Sequence, residues 1–320
     1  MKVLRIALAA LLLGLVTTVQ AAFPDKPIKI IVGFPPGGPL DTHARLLVDQ
    51  LQKHLGQPVI IDYKPGAGGS IGADFVIKSP PDGYTLLMAN TGTMVINPFV
   101  YTKNVYETVR DFTPIARTAQ QPLALIVNND VPARTFAEFI DYAKKNPGKV
   151  NYGSAGNGGI SHLVPEMLEQ ATGIDMVHVP YKGTAPAFTD LLAGQVQFMA
   201  ESIPQVTQYL KAGKVRALAM TGKERNAAIP DVPTMAEAGV KDFEVVGFYG
   251  VLAPAKMPAD VTAKLSDAFK KTLASDEVRT RMVQQGADPA YLDSAQFMQF
   301  LQTESARWGA AVKKAGVKLD

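Results

Sequence analysis

Three glycine-rich stretches hold the residues of this 320-residue chain best suited to chemistry. They are Phe34-Pro35-Pro36-Gly37-Gly38-Pro39-Leu40-Asp41, Pro65-Gly66-Ala67-Gly68-Gly69-Ser70-Ile71-Gly72 and Gly153-Ser154-Ala155-Gly156-Asn157-Gly158-Gly159. Each follows an apolar run and precedes a helical pattern. Small residues at such turns let backbone N–H groups approach a ligand, and a helix N-terminus favours an anion. In an open α/β sheet these turns gather at the carboxyl ends of the strands. Capture of an anion is therefore the chemistry expected, against the plainer reading that glycine only permits a tight turn.

Catalytic readings fail on context. Gly66-x-Gly68-x-x-x-Gly72 has the wrong spacing for a dinucleotide fingerprint. Gly68-x-Ser70-x-Gly72 matches a nucleophile elbow in form, but an elbow needs a strand running straight into its serine, and Lys64-Pro65-Gly66-Ala67 intervenes. A secreted hydrolase using Ser70 is thus a remote alternative. The four histidines are His43, His54, His162 and His178, with no two at metal-pair spacing, and cysteine is absent, which excludes thiolate metal sites, cysteine nucleophiles and disulfides. His54 reads as surface and His178 as structural. His162, in the first turn of the helix after the third glycine turn, is the one placed to face a ligand. No catalytic residue, metal or cofactor is expected, and the protein is not read as an enzyme.

The elements that must position these turns alternate along the chain. Strands are expected at 27–34, 59–63, 84–89, 123–128, 150–154, 176–180, 196–200, 215–221 and 245–253. Helices are expected at 40–54, 70–78 and 135–146, the last opened by the capping box Thr135-x-x-Glu138, and two longer amphipathic helices at 258–273 and 293–312. Such alternation argues for parallel sheets with helices on both faces. No Gly/Ser linker divides the chain, so two domains would have to join through ordinary strands, with 123–127 and 245–253 as the crossings.

Hydrophobic residues make up 47% and charged residues 19%, enough for a substantial core. The 32 Lys+Arg against 29 Asp+Glu form no basic stripe, so no nucleic-acid partner is expected. Residues 1–21 carry Lys2 and Arg5, an apolar stretch at 6–16 and Val19-Gln20-Ala21, the pattern of a secretory signal cleaved after Ala21. The apolar stretch is too short to span a bilayer, which needs roughly 20 residues. Removing Lys2 and Arg5 takes the net charge from +3 to +1. The expected product is a soluble periplasmic protein.

Strings spread over the rest of the chain resemble the Bug family of substrate-binding proteins of tripartite tricarboxylate transporters. They include Gly37-Gly38-x-x-Asp41-x-x-Ala44-Arg45, Lys64-Pro65-Gly66-Ala67-Gly68-Gly69-x-Ile71-Gly72 and Pro81-Asp82-Gly83-Tyr84-Thr85-Leu86. Further along stand Asp111-Phe112-Thr113-Pro114, Tyr152-Gly153-Ser154-x-Gly156-x-Gly158, His178-Val179-Pro180-Tyr181-Lys182-Gly183 and Pro230-Asp231-Val232-Pro233-Thr234.

The resemblance implies a type II periplasmic binding fold, two lobes of mainly parallel sheet flanked by helices, with a ligand cleft at the hinge. The expected boundaries are 22–122 plus 247–320 for the first lobe and 123–246 for the second. It implies capture of a di- or tricarboxylate or a related acid by a monomer, without cofactor or turnover. The partners would be the membrane subunits of a tripartite tricarboxylate transporter or, alternatively, a membrane sensor protein. Ligand contacts are expected from Phe34, Gly37, Gly38, Pro39, Asp41 (as a brace of its loop), Gly68, Asn90 and Thr91. From the second lobe they are expected from Ser154, Ala155, Gly156, Asn157, Gly158, His162, Tyr181, Glu201 and Ser202, and from Phe248 at the hinge, with Lys182 solvated at the rim. The chain departs from the family's pattern at Met94, Pro165, Gln197, Ala200, Glu201 and Ser202, which bears on ligand identity.

Overall fold

Apolar runs at regular intervals build two sheets in this structure, a computed structural model that describes residues 23–181, 183–285 and 287–319. The signal segment expected at 1–21 and the rim residue Lys182 lie outside the described residues. In the first sheet β1 (Ile28–Val32) lies between β2 (Val59–Tyr63) and β3 (Thr85–Asn90), parallel to both. β9 (Val246–Pro254) runs antiparallel to β3. It also pairs antiparallel with the first part of β4 (Phe112–Asn128), through Pro122↔Val246. The short β10 (Asp288–Leu292) closes that edge against β4. In the second sheet β5 (Val150–Ser154) lies between β6 (Met176–Pro180) and β7 (Phe198–Ser202), parallel to both. The remainder of β4, from Leu123, is antiparallel to β7 and to β8 (Val215–Met220). One strand of 17 residues thus belongs to both sheets.

Helices cover the sheets as their patterning dictates. α1 (Pro39–Leu55) starts with proline at its first position and buries Leu40, Ala44, Leu47, Leu51 and Leu55, one face of a 3.6-residue period. It stops at Gly56, whose φ of 69° is the left-handed cap that glycine adopts without strain. α2 (Ser70–Ile77) follows the second glycine turn, and the single turns α3 (Asn97–Val100) and α4 (Thr108–Asp111) precede β4. The capping box of Thr135 and Glu138 opens α5 (Phe136–Lys145) as expected. α6 (Ile160–Thr172) runs on through Pro165, and α7 (Thr184–Leu192) and α8 (Ile203–Lys211) complete the second lobe. α9 (Ala259–Ala274), α10 (Asp276–Gln284) and α11 (Ser294–Ala315) return to the first sheet.

The first core is built on Ile28, Ile30, Leu47, Leu265 and Phe269, and another in the second lobe on Phe188, Leu191, Met199 and Ile203. A third joins both sheets, carrying Ile31 and Leu87 at one end, Phe139 and Phe198 at the other, and Phe248, Phe297 and Trp308 between. Each such side chain, fully buried, contributes about 1.5–3 kcal/mol. The sheets are mixed rather than purely parallel, because β9 enters the first antiparallel and β4 enters the second antiparallel.

Candidate functional site

A cavity of about 730 Å³ lies between the two sheets, lined by turns that follow the carboxyl ends of β1, β3, β5, β6 and β7. From the first turn, Phe34, Pro35, Pro36, Gly38, Pro39 and Leu40 reach it. Gly37 does not line it. With φ at 85°, Gly37 turns its N–H away to donate to Asp41 Oδ2 at 2.7 Å. Asp41 is buried beneath the turn, where it also accepts from the Tyr63 hydroxyl (2.7 Å) and from Arg45 Nε (3.0 Å). Burial pushes its pKa up, but these bonds outweigh burial and hold it below the usual carboxylate range. Asp41 therefore braces the loop from behind. Because Pro39 has no N–H, the donors free at the start of α1 are those of Leu40 and Asp41.

The second turn contributes only Gly68. Its other glycines serve close packing: a Cβ on Gly33 would stand 2.7 Å from the Cα and carbonyl oxygen of Gly69, and one on Gly72 would stand 2.9 Å from the Gly33 Cα. Thr93 Oγ1 and Asn97 Nδ2 each donate to the Gly68 carbonyl at 3.0 Å, pinning the loop. Ser70 Oγ accepts from Asn97 Nδ2 (3.0 Å) and lies 3.4 Å from the Tyr106 hydroxyl, with no imidazole among its partners.

The third turn faces the cavity from Ala155 to Gly159. Several of its amides are already engaged: Ala155 N–H donates to Ser161 Oγ (3.1 Å), Gly156 N–H to Ser154 Oγ (3.2 Å) and Gly158 N–H to His162 Nδ1 (3.0 Å). Donors left at the mouth of α6 are the N–H groups of Asn157, Gly159, Ile160 and Ser161. Ser154 is fully buried, His162 is buried, and Tyr181 is turned toward Asp190, to which its hydroxyl donates at 2.6 Å; none of them lines the cavity.

Behind the turn, the rings of His162 and His178 stack 3.8 Å apart at 7°, and His178 stacks in turn on Tyr152. Since His162 Nδ1 accepts from Gly158, its proton sits on Nε2, facing Glu166 Oε1 at 3.6 Å. Burial lowers the His162 pKa against the opposing pull of Glu166. Burial, and then His162, lower that of His178 to about 4. Both rings are thus neutral braces near pH 7. Ser154 Oγ joins the same support, 2.6 Å from His178 Nε2. Ser154→Ala removes the hydroxyl that holds Gly156 N–H, and loss of this half-buried neutral bond costs about 0.5–1.5 kcal/mol. The expected result in a denaturant titration is a lower midpoint at unchanged slope.

Asn90, Thr91, Glu201, Ser202 and Phe248 line the cavity, as do Gln121, Ser161, Thr184 and Gln205, which motif reading did not single out. Asn90 Oδ1 accepts from Thr93 N–H (2.9 Å), and Thr91 Oγ1 accepts from Phe248 N–H of β9 (2.7 Å). Phe248 packs edge-on against Phe297 and Phe300. Among the described residues, the lining holds one carboxylate, Glu201, and no lysine or arginine. Nor does any group of three or more His, Asp or Glu among them come together as a metal site. The arrangement offers amide and hydroxyl donors from both lobes to a small, polar, hydrogen-bond-accepting molecule.

Comparison with known proteins agrees with this architecture. The model of the tripartite tricarboxylate transporter family receptor matches residues 43–317. A protein of the tcbD–tcbE intergenic region of Pseudomonas sp. strain P51 is 38% identical over 288 residues, 90% of this chain and 85% of its own. BugT of Bordetella pertussis is 34% identical over 308 residues, covering 96% and 94%. Among solved structures, Rpa4515 of R. palustris with adipate superposes with a TM-score of 0.83 at 33% identity, covering 92% of this chain and 99% of that one. MatC of Rhodopseudomonas palustris with bound malate gives 0.78 at 34%, covering 91% and 100%. The fold is that of a two-lobed periplasmic binding protein. The chain belongs to the tripartite tricarboxylate transporter receptor family, a family of periplasmic solute receptors that includes the Bug proteins.

Proposed function

We propose that this protein captures a small organic carboxylate between its lobes and presents it to the membrane subunits of a tripartite tricarboxylate-type transporter. One observation carries the reading: the cavity is met from both lobes by backbone amides at helix N-termini, α1 on one side and α6 on the other, with no cationic side chain among its described lining. Oriented amides stabilise a carboxylate without a counter-charge. The malate and adipate held by relatives support the same ligand class. The free donors favour contact with the amides of 157 and 159–161 over those of 155, 156 and 158. We propose further that the lobes are 22–122 with 247–320, and 123–246, hinged where β4 passes from β9 to β7 at Pro122–Leu123 and where β9 begins at Val246. The partner switch of β4 supports this division.

The test is thermal unfolding of protein that has been denatured, washed and refolded, in the presence of malate, succinate, adipate or citrate. An acid at about 100 times its dissociation constant adds roughly 2.7 kcal/mol. Small-angle scattering with that acid is expected to give a smaller radius of gyration, because hinged lobes close on their ligand. Failure of all of these acids, and of the monoamides of succinate and adipate, to raise the unfolding temperature removes the reading. Binding without compaction leaves the ligand and removes the hinge.

A further inference from the structure

Among the described residues, Glu201 is the one ionisable carboxylate on the cavity wall, and none of them supplies it a counter-ion there. It lies near the carboxyl end of β7, opposite Ala124 of β4, at 5% exposure. Its neighbours are neutral donors: the Ser202 N–H, the Ser161 hydroxyl and the Thr184 hydroxyl, the last 3.5 Å from Oε1. Ser161 Oγ already accepts from Ala155 N–H, so its own hydrogen is free to turn toward Glu201. Other elements packed around this end of β7 present Leu123 of β4 and Gln121 and Tyr249 beside it; of these only Tyr249 titrates, and burial pushes its hydroxyl up to about 12. Glu201 is therefore held on the protein side by weak neutral bonds, with its remaining acceptor capacity open to the cavity.

A second carboxylate placed against it would meet like charge beside a nearly buried side chain, where repulsion is stronger than in bulk water. A nitrogen donor placed there would instead complete the bonding of a buried acceptor. We propose that Glu201 is the specificity-determining residue of this cavity, and that it selects organic acids bearing an N–H donor opposite their carboxylate over the corresponding dianions. The inference rests on the proposed receptor function and narrows its ligand class. Burial raises the Glu201 pKa to about 7, so the discrimination is fullest above that pH, where the side chain is ionised. Below it, a protonated Glu201 can itself donate to a second carboxylate, and the two ligand classes converge.

Titration calorimetry on refolded protein, at a pH well above 7, decides the matter with two matched pairs: succinate against its monoamide succinamate, and adipate against its monoamide. Each monoamide is expected to bind at least tenfold more tightly than its diacid, a difference of about 1.4 kcal/mol. Glu201→Gln, which can donate from its amide, is expected to reverse the order; Glu201→Asp keeps the charge and the order. Equal affinity of diacid and monoamide for the unaltered protein overturns the assignment whatever the variants do. So does an order that Glu201→Gln leaves unchanged. Absence of binding by all four compounds and by citrate and malate overturns the receptor reading itself, and the assignment with it.

Discussion

Gly158→Val is expected to weaken carboxylate binding by at least about 100-fold, or ~2.7 kcal/mol. Gly158 sits at φ 74°, in the left-handed region, and a Cβ built there would stand 2.7 Å from Val100 Cγ1. That contact reaches from the third turn to α3, across the cleft. A left-handed residue other than glycine costs roughly 1–2 kcal/mol, and more when β-branched. On the proposed hinge the steric term falls on the closed arrangement, because lobe opening would move Val100 away. The variant should therefore fold, with a modestly lowered unfolding midpoint, and fail to close. Val100→Ala in the same chain removes the obstructing methyl groups and is expected to recover a large part of the affinity, leaving the backbone strain. Full affinity in Gly158→Val alone would show that the bound state does not bring these two residues together.

Gly33→Ala acts on the fold itself. Its Cβ would meet the Gly69 backbone at 2.7 Å from two atoms, and backbone cannot turn aside as a side chain can. Overpacking of this kind costs typically 1–3 kcal/mol and sometimes more, and about 3 kcal/mol is expected here, read as a lowered midpoint in denaturant. Gly38→Ala is the control. Its φ is −78° and its nearest neighbour is the Pro35 carbonyl at 3.7 Å, an ordinary contact. Near-equal stability of the Gly33 and Gly38 variants would mean that the first and second turns separate easily.

The contrast between those two glycines also separates what sequence alone discloses from what only the fold determines. That glycine turns cluster at one end of the sheets follows from strand–helix alternation, and β2, β5 and β6 fall where their apolar runs placed them. Which glycine faces the cavity does not follow, because a turn made small for a ligand and one made small for a neighbouring backbone have the same composition. Gly69 and Gly72 are of the second kind. Ser154 and His162 carry side chains suited to a ligand, yet they spend polar atoms holding the turn's own amides, with His178 bracing Ser154 from behind, a division visible only in three dimensions. Thr184 and Gln205 were legible in principle, since the turns after β6 and β7 obey the same carboxyl-end rule, but neither turn is glycine-rich enough to draw notice. The apolar pattern marks β4 only from 123 onward, whereas the strand begins at Phe112. Pro114 and Pro122 break its pattern, yet both lie within the strand, where their missing N–H groups fall amid register shifts and at the change of partner. The short β10 has no fully buried face and left no periodic signal.

The place of β9 has a consequence for how the chain comes into being. β9 is inserted between β3 and β4, so the first sheet has a gap at its centre until residues 246–254 exist. Before them β1, β2 and β3 can pair and the second sheet can form, but β3 and β4 cannot be joined into the first sheet. Pairings so distant along the chain are slow, because loop closure must precede any reward. In a family of periplasmic receptors, whose polypeptides must be threaded across a membrane, delay of this kind is useful. The first sheet stays open through most of synthesis, and the last quarter of the chain supplies the strand that closes it.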